Sequence, residues 1–294
     1  MPDLRTIDLH MHTTVSDGTD TPEELLSHVR EAGIGLFAVT DHDGFLGCGI
    51  IRSLLTADDP VFLTGVEFSC KDEEGKYHIL GYGFDPEAEP VRQVVELGHS
   101  YRLYKVRGRL ERLKKDFGFT FPKEDLDALF ALDNPGKPHI ANLMVRFGYA
   151  ESKEEAMRRY LNPIHFSNRA VRPEEAIRGI LGGGGIPVLA HPAYGDGDQL
   201  ILGEEMDARL RRLTGFGLRG AEAYYSGFPD KIRIQMLDLA ERYGLYVTAG
   251  SDYHGKNKLV PLGDTGLSDA AKGPEGLRRF LEDIKALPGY CQGA

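Results

Sequence analysis

The feature that most constrains this fold is a series of short apolar segments, each followed by histidine or a carboxylate and then by a helical pattern. The first segment leads into Asp8-Leu9-His10-Met11-His12, and Leu36–Thr40 leads into Asp41-His42-Asp43. The same arrangement recurs farther along the chain, before Glu67, His191 and Asp252. Parallel strands that alternate with helices bring their carboxyl ends to one face of a sheet or barrel. These polar side chains are therefore expected to converge.

The residues at these positions are the types that bind divalent cations. Imidazole nitrogen and carboxylate oxygen are ligands of borderline and hard divalent ions. His10 and His12 are two apart, so on an extended backbone both side chains point the same way, and Asp252 and His254 share this spacing. The full candidate set is His10, His12, Asp17, His42, Glu67, His78, His191, Asp252 and His254. Together these residues predict a multinuclear metal site.

Each candidate ligand taken singly also has an explanation without a metal. A lone histidine after a strand is more often a hydrogen-bonded structural group, and Asp17 before a glycine is typical of a turn. Asp41 or Asp43 is suited to cap the helix that follows. Glu67 is harder to explain in this way, because an ionised carboxylate between apolar neighbours needs a strong partner. The joint pattern therefore carries the metal hypothesis.

The helix and strand pattern is interrupted once, in the middle of the chain. Strands are predicted over 4–9, 36–40, 61–64, 77–82, 186–190, 218–224 and 245–249, with helices over 22–32, 46–57, 173–182, 204–216 and 229–243. Between them, a long helix over 91–117 and short helices over 123–131, 138–147 and 152–160 indicate an inserted helical subdomain. The predicted organisation is a barrel in two parts, residues 1–90 and 173–294, around an insertion over 91–172.

Composition and charge exclude several classes of protein. The formal net charge of −10 argues against broad electrostatic binding to nucleic acid, although divalent ions would reverse the sign locally. No apolar stretch approaches the roughly 18 residues of a membrane span, and no signal peptide is evident at the start. Cys48, Cys70 and Cys291 fit neither a disulfide framework nor a thiolate zinc site. We expect a cytoplasmic enzyme without membrane contact, whose oligomeric state the sequence does not reveal.

The motifs resemble those of the polymerase and histidinol phosphatase (PHP) family. They are His10-Met11-His12, Ser16-Asp17-Gly18, Thr40-Asp41-His42-Asp43, Gly65-Val66-Glu67, His191-Pro192 and Ser251-Asp252-Tyr253-His254. The resemblance covers nearly the whole chain and is closest to stand-alone bacterial members, which include nucleotide bisphosphatases, 5′-to-3′ exonucleases and cyclic phosphodiesterases. It implies an α/β fold, a distorted (β/α)7 barrel with a small helical insertion. It also implies two or three divalent ions, with Mn²⁺ favoured and Zn²⁺ or Fe as alternatives.

The resemblance further implies how the ligands are shared among the ions. His10, His12 and Asp252 are expected to bind a first ion, which Glu67 bridges to a second ion completed by His78 and His191. Asp17, His42 and His254 form a third site and are expected to take part in catalysis. Of all these residues, His78 has the least distinctive local context.

Basic residues of the insertion are the candidate substrate contacts. The segment Lys137-Pro138-His139-Ile140-Ala141 resembles a family segment in which a basic side chain reaches toward the substrate phosphate. His139 is also a candidate catalytic residue, because it is suited to assist the leaving group or bind a second phosphate. The complete set is Arg107, Arg109, Lys137, His139, His165 and Arg169. Arginine suits bidentate phosphate contacts, but Arg107 or Arg109 fits the solvated face of a helix equally well.

The sequence thus predicts a metal-dependent phosphoesterase that acts on a small phosphorylated metabolite or nucleotide, either a bisphosphate or a cyclic phosphate. The nucleophile would be a hydroxide held between two ions. A 5′-to-3′ exonuclease on short oligonucleotides is the alternative, since one terminal phosphate needs only a local cationic pocket. Hydrolysis of a C–N bond is a weaker alternative, because no lysine suited to carbamylation follows a strand. The last alternative is a non-catalytic interaction module that metal ions stabilise.

Overall fold

The structure is a computed structural model that describes residues 6–166, 169–195 and 199–292. The chain separates into two compact units. The first comprises Met1–Val95 and Val171–Ala294, and the second comprises Glu96–Ala170. The first unit contains the strands, and the second contains helices.

One mixed sheet forms the centre of the first unit. Its strands are β1 (Ile7–Asp8), β2 (Leu36–Val39), β3 (Val61–Asp72), β4 (Gly75–Tyr82), β5 (Ile186–Leu189), β6 (Gly220–Tyr225), β7 (Tyr246–Gly250) and β8 (Tyr290–Cys291). Seven strands lie in the order β1 to β7, and β8 pairs with β3. The sheet nearly closes on itself, since the Leu9 amide beyond β1 donates to the Ala249 carbonyl in β7 at 2.9 Å. This barrel-like sheet confirms the predicted α/β class.

Strand β4 departs from the expected repeat of parallel units. Its pairings with β3 and β5 are antiparallel, whereas the other pairings along the path from β1 to β7 are parallel. Only two residues separate β3 from β4, and a parallel crossover needs about a dozen. Strand β3 therefore continues to Asp72, past its predicted end at residue 64. The prediction that Glu67 follows the end of a parallel strand is wrong, because Glu67 lies inside this hairpin, as does His78.

Helices follow the strands as the sequence predicts. In chain order they are α1 (Pro22–Glu31), α2 (Leu46–Leu54), α3 (Glu89–Phe117), α4 (Lys123–Phe130), α5 (Lys137–Arg146), α6 (Lys153–Glu155), α7 (Pro173–Gly182), α8 (Gly203–Phe216), α9 (Asp230–Arg242) and α10 (Glu275–Asp283). At the start of α1 the Thr21 hydroxyl accepts from the Glu24 amide at 3.2 Å, and the Glu24 carboxylate accepts from the Thr21 amide at 2.9 Å. This capping box provides hydrogen-bond acceptors for two amides that have no partner within the helix. Helix α10 and strand β8 have no counterpart in the sequence prediction.

The second unit has its own small core. Val106 and Leu113 on α3 pack in one buried cluster with Ile140 and Met144 on α5. The predicted helix over 152–160 is α6, which continues directly as a π-helix over Ala156–Leu161. Within the described residues of this unit there is no strand, in agreement with a helical insertion. No helix in the described part of the chain is both long and apolar enough to span a membrane.

Candidate metal centre

Glu67 lies at the middle of a cluster of imidazoles in the first unit. Its side chain is 1% exposed. Its Oε2 atom lies 3.3 Å from Nε2 of His10, 3.2 Å from Nε2 of His12 and 3.2 Å from Nδ1 of His42. These three histidines come from the turns that follow β1 and β2. One carboxylate oxygen therefore faces three imidazole nitrogens.

The second oxygen of Glu67 faces two further histidines. Oε1 lies 2.8 Å from Nδ1 of His78 and 3.3 Å from Nε2 of His191. His78 stands beside Ser69 in the antiparallel hairpin, and His191 follows β5. The hairpin thus delivers Glu67 and His78 together, although neither follows the end of a parallel strand.

Asp252 and Asp17 surround the other side of the same cluster. Asp252 Oδ1 lies 3.5 Å from Nε2 of His10, 3.4 Å from Nε2 of His12 and 3.4 Å from Nδ1 of His254. Asp17 is half exposed, and its Oδ1 lies 3.2 Å from Nε2 of His254. The nine predicted ligands are therefore brought together in one place.

The donor atoms fit divalent metal ions. Three sets of them lie within 4.8 Å of one another: His10, His12 and Glu67; His42, Glu67 and His78; His12, Asp17, His42 and His254. Among the described residues, the buried Nε2 atoms of His10 and His12 have no hydrogen-bond partner of acceptable geometry, although carboxylate oxygens lie within 3.5 Å. Donors that each lie about 2.1 Å from one tetrahedral ion are about 3.4 Å apart. The arrangement suits atoms that point to a common ion.

Burial and neighbouring charges shift the pKa values of the residues in this cluster. Burial alone would lower the pKa of His10, but the carboxylates of Glu222, Glu67 and Asp252 raise it well above its usual value. In the same way, the carboxylates of Asp252 and Glu67 raise the pKa of His12 to about 9 against the effect of burial. Burial would raise the pKa of Glu67, but the surrounding imidazoles hold it well below its usual range. Without a metal, opposite charges inside the cluster compensate each other.

The pKa of His42 is shifted in the opposite direction from those of His10 and His12. Burial, together with the imidazoles of His12 and His78, lowers the pKa of His42 to about 4, against the opposing effect of Glu67. Its ring is therefore neutral near pH 7. A neutral imidazole is the form that binds a metal ion.

The backbone at the centre is strained. Asp43, His191 and Asp252 have φ values of +55°, +27° and +58°, and they are the non-glycine residues with positive φ among those described. Such backbone conformations are unfavourable for residues with a Cβ and persist where surrounding contacts impose them. Two of the three are predicted metal ligands, and Asp43 is next to a third, His42. The strain therefore coincides with the centre.

A family model described as the PHP domain matches residues 8–166, which is more than half of the chain. The chain belongs to the PHP domain family. This match includes the turns that carry His10, His12, Asp17 and His42, as well as the helical insertion.

Several relatives of this PHP domain have named activities. A 3′,5′-nucleoside bisphosphate phosphatase from Chromobacterium violaceum is 30% identical over 263 residues, covering 85% of this chain and 88% of that protein. A phosphoribosyl 1,2-cyclic phosphate 1,2-diphosphodiesterase from Eggerthella lenta is 30% identical over 272 residues, covering 86% and 96%. A 5′-3′ exoribonuclease from Salmonella typhimurium is 31% identical over 268 residues, covering 87% of each.

The fold agrees with that of a solved structure. A protein from Bifidobacterium adolescentis, described as a metal-dependent phosphoesterase, superposes with a TM-score of 0.75 at 29% identity, covering 97% of this chain and 98% of that one. The chain is therefore a metal-dependent phosphoester hydrolase of PHP type, as the sequence predicts.

Three arginines of the insertion, predicted to contact substrate, stack on aromatic rings of the second unit. Their guanidinium carbons lie 5.0 Å from the ring centroid of Phe130 for Arg107, 5.0 Å from Phe166 for Arg109 and 4.4 Å from Tyr104 for Arg169. The buried Nε of Arg109 has no hydrogen-bond partner among the described residues. A guanidinium group in such a cation–π contact still has N–H donors for an anion.

The other basic candidates of the insertion lie near the start of α5 or beyond the π-helix. His139 accepts a hydrogen bond at Nδ1 from the Gly136 amide at 3.1 Å, and burial lowers its pKa. Lys137 donates from Nζ to Asn162 Oδ1 at 2.8 Å. His165 is exposed. In the neutral form of His139, the bond at Nδ1 leaves the proton on Nε2.

Residues that the sequence analysis did not single out support the ligands. Glu222 in β6 accepts from Nδ1 of His10 at 2.9 Å. The buried Asp41 carboxylate accepts from the Thr13 amide at 2.8 Å and from the Ser16 hydroxyl at 2.6 Å, which fixes the turn before Asp17. This explains Asp41 better than the expected helix cap.

A lysine that the sequence analysis did not consider also lies at this centre. Lys258 Nζ donates to the Tyr225 hydroxyl at 2.9 Å and lies against Oδ2 of Asp252. The Tyr225 hydroxyl donates to the same Oδ2 at 2.9 Å. Asp252 therefore presents Oδ1 to the histidines while its other oxygen is held from outside.

Proposed function

We propose that this phosphoesterase hydrolyses a small phosphorylated nucleotide or metabolite, either a bisphosphate or a cyclic phosphate. The observation that carries the proposal is the buried Glu67 carboxylate, whose two oxygens face five imidazoles within 3.3 Å. The bisphosphate phosphatase and cyclic phosphate diesterase relatives support this substrate class.

The nine donors are assigned to two or three divalent ions. His10, His12 and Asp252 would hold the first ion, Glu67 would be shared, and His78 with His191 would complete the second. The cluster of Asp17, His42 and His254 would hold a third. When bound, such ions lower the pKa of coordinated water toward about 7 and neutralise charge on phosphoryl oxygens. Mn²⁺ is our first choice for these sites, with Zn²⁺ and Fe as the other metals to test.

The chain's own residues would bind and orient the substrate. Lys258, about a third exposed at its side chain, offers an ammonium group to a phosphoryl oxygen. The stacked guanidinium groups of Arg107, Arg109 and Arg169 and the ammonium of Lys137 would bind the rest of an anionic substrate. We assign exposed His165 to the same role.

A leaving alkoxide oxygen develops negative charge, and His139 is assigned to assist it by hydrogen bonding, while the proton that the alkoxide takes up comes from solvent water. Nε2 of His139 carries the ring proton because Nδ1 accepts from the Gly136 amide. Hydrogen bonding of this Nε2–H to the bridging oxygen would stabilise the charge that develops there during in-line attack by water on phosphorus.

The first test is phosphate release by Mn²⁺-loaded protein from a panel of esters. The panel holds nucleoside 3′,5′-bisphosphates, a sugar cyclic phosphate, histidinol phosphate and a short 5′-phosphorylated RNA. Asp17→Asn and His191→Asn are expected to lower release at least about 100-fold, whereas the control variants Asp207→Asn and His99→Asn, outside the centre, retain it. A panel without any turnover, although two or more ions bind, would contradict the proposal and favour hydrolysis of a C–N bond.

Exonuclease activity is the second candidate function, because the Salmonella typhimurium relative is a 5′-3′ exoribonuclease. Stepwise release of mononucleotides from the RNA, faster than release from the small esters, would establish it. Location in the cytoplasm stays a prediction from cysteine usage, and cell fractionation tests it.

A further inference from the structure

We propose that Glu222 is a positioning residue that holds two ligands of the metal centre, His10 and His191, in the geometry that binding requires. This inference rests on the proposed function only in that the cluster binds divalent ions. It concerns a residue in β6 that is not itself among the nine candidate ligands.

The two carboxylate oxygens of Glu222 contact two different residues. Oε1 lies 2.9 Å from Nδ1 of His10, and Oε2 accepts from the His191 amide at 2.8 Å. The side chain of Glu222 is fully buried. The two hydrogen bonds join β6 to residues 212 positions earlier and 31 positions earlier in the chain. One carboxylate thus connects the turn after β1 to the turn after β5.

At His10, the contact determines which nitrogen faces the centre. A carboxylate accepts only, so the hydrogen bond places the proton of a neutral His10 on Nδ1 and leaves a lone pair on Nε2. That Nε2 atom is buried, has no hydrogen-bond partner of acceptable geometry in the described ranges, and lies 3.3 Å from Oε2 of Glu67. A carboxylate behind a metal-binding imidazole fixes its tautomer and ring orientation and makes it a stronger ligand.

At His191, the contact holds the main chain and not the ring. The residue has a φ of +27°, which a histidine adopts only under constraint. The hydrogen bond from its amide to Glu222 supplies part of that constraint. The His191 ring is then presented with Nε2 3.3 Å from Oε1 of Glu67.

The surroundings leave space for this carboxylate. A Cβ at Gly250 in β7 would lie 2.3 Å from Oε1 of Glu222 and 2.3 Å from Cβ of His10. Glycine at this position therefore allows the two side chains to meet. Burying a carboxylate is costly unless charged or hydrogen-bonded partners compensate it, and both observed partners of Glu222 belong to the centre.

The variant Glu222→Gln tests the proposal because glutamine has the same size but a single acceptor oxygen. It can satisfy either His10 or the His191 amide, while its NH2 group opposes the other donor. We expect affinity for Zn²⁺ or Mn²⁺, measured by competition with a chelating dye, to fall about 10- to 100-fold. Glu175→Gln is the matched control, since its carboxylate accepts from the Arg172 amide at 2.8 Å outside the centre. An unchanged affinity in a folded Glu222→Gln protein would overturn the proposal.

A second measurement needs no variant that must fold. Nitrogen-15 spectra of the wild-type protein loaded with Zn²⁺ are expected to show His10 protonated at Nδ1 and bound through Nε2. A metal-bound Nδ1 or a protonated Nε2 would overturn the proposal. Both measurements are independent of turnover, so lack of phosphate release would count against the proposed function and leave the role of Glu222 decided by affinity and tautomer.

Discussion

At the centre, a side chain that is a candidate metal ligand is held in position by a second side chain. Asp252 shows this division clearly, because its Oδ1 faces His10, His12 and His254 while its Oδ2 accepts from the Tyr225 hydroxyl. Burial and the Asp252 carboxylate raise the pKa of Tyr225, so its hydroxyl stays a donor. Orientation of Asp252 therefore does not depend on Lys258 alone.

Lys258→Met is expected to weaken anion binding without loss of metal. The change removes an ammonium group, and a hydrogen bond to a charged group contributes about 1.5 kcal/mol or more. The inhibition constant of inorganic phosphate should therefore rise about tenfold, as measured by competition kinetics, while Tyr225 still holds Asp252. The exposed neighbour Lys256 provides the control variant Lys256→Met. Equal increases of the inhibition constant in the two variants would show that Lys258 acts only through its contribution to the net charge and not through a direct contact with the anion.

The nine candidate ligands could be selected from the sequence because most of these histidines and carboxylates follow apolar segments in a recognisable order. Their supporting residues could not, because each partner is distant in the chain. Glu222 is an instructive case, since Gly-Ala-Glu-Ala-Tyr-Tyr places a carboxylate inside an apolar strand, as Val-Glu-Phe does at Glu67. The same physical argument, that a buried carboxylate needs a partner, applies to both. Lys258 lies in a polar loop and gives no such signal.

At the scale of elements, the sequence predicts the β/α units well and the hairpin poorly. Thr21 and Glu24 predict the start of α1 because the capping box is a local interaction. The pairing of β3 with β4 depends instead on where the two strands end. It follows from the two-residue connection at Glu73–Glu74, which excludes a parallel crossover. Apolar residues alone do not distinguish a strand that ends at residue 64 from one that continues to Asp72.

One ion pair connects the last turn of α1 to the turn before β3, and its loss should lower stability in a pH-dependent way. Arg30 donates to the Asp59 carboxylate at 2.6 and 2.9 Å, and this contact lowers the pKa of Asp59 to about 2 from the usual 3.8. Because the Arg30 side chain is nearly half exposed, solvent screening limits the loss in Arg30→Gln to about 0.5–1 kcal/mol. The measurement is urea unfolding at several pH values.

The sign follows from the lowered pKa of Asp59. Its carboxylate is favoured in the folded state, so the contribution is fully present above the unfolded pKa of 3.8 and is lost as the pH falls toward 2. The difference in unfolding free energy between the wild type and Arg30→Gln should be constant above about pH 5 and shrink below about pH 4. Arg92→Gln removes an exposed pair with Glu87 and should change little. A difference that grows on acidification would refute the assignment.

On the scale of the whole molecule, the centre ties together parts of the chain that are far apart. Its candidate ligands run from His10 to His254 and enter from the turns after β1, β2, β5 and β7 and from the β3–β4 hairpin. A metal ion that binds them is bound by the folded chain and not by the unfolded one. Metal affinity is therefore also stability of the first unit.

Chelation should consequently lower the melting temperature of the protein. A ligand present at about 1,000 times its dissociation constant stabilises the folded state by about 4 kcal/mol, which for a chain of this size corresponds to a rise of roughly 5–10 °C. We expect calorimetry to show this difference between Mn²⁺-loaded and chelator-treated protein, and to show a smaller one in the double variant His10→Asn/His12→Asn, which lacks two ligands assigned to the first ion. Within the part of the chain that the structure describes, the buried Nε2 atoms of these two histidines have no hydrogen-bond partner of acceptable geometry, so the chelated protein keeps two unsatisfied nitrogen atoms at its centre. Equal melting temperatures with and without metal would mean that carboxylate–imidazole pairing alone stabilises this barrel, and that the cluster is structural.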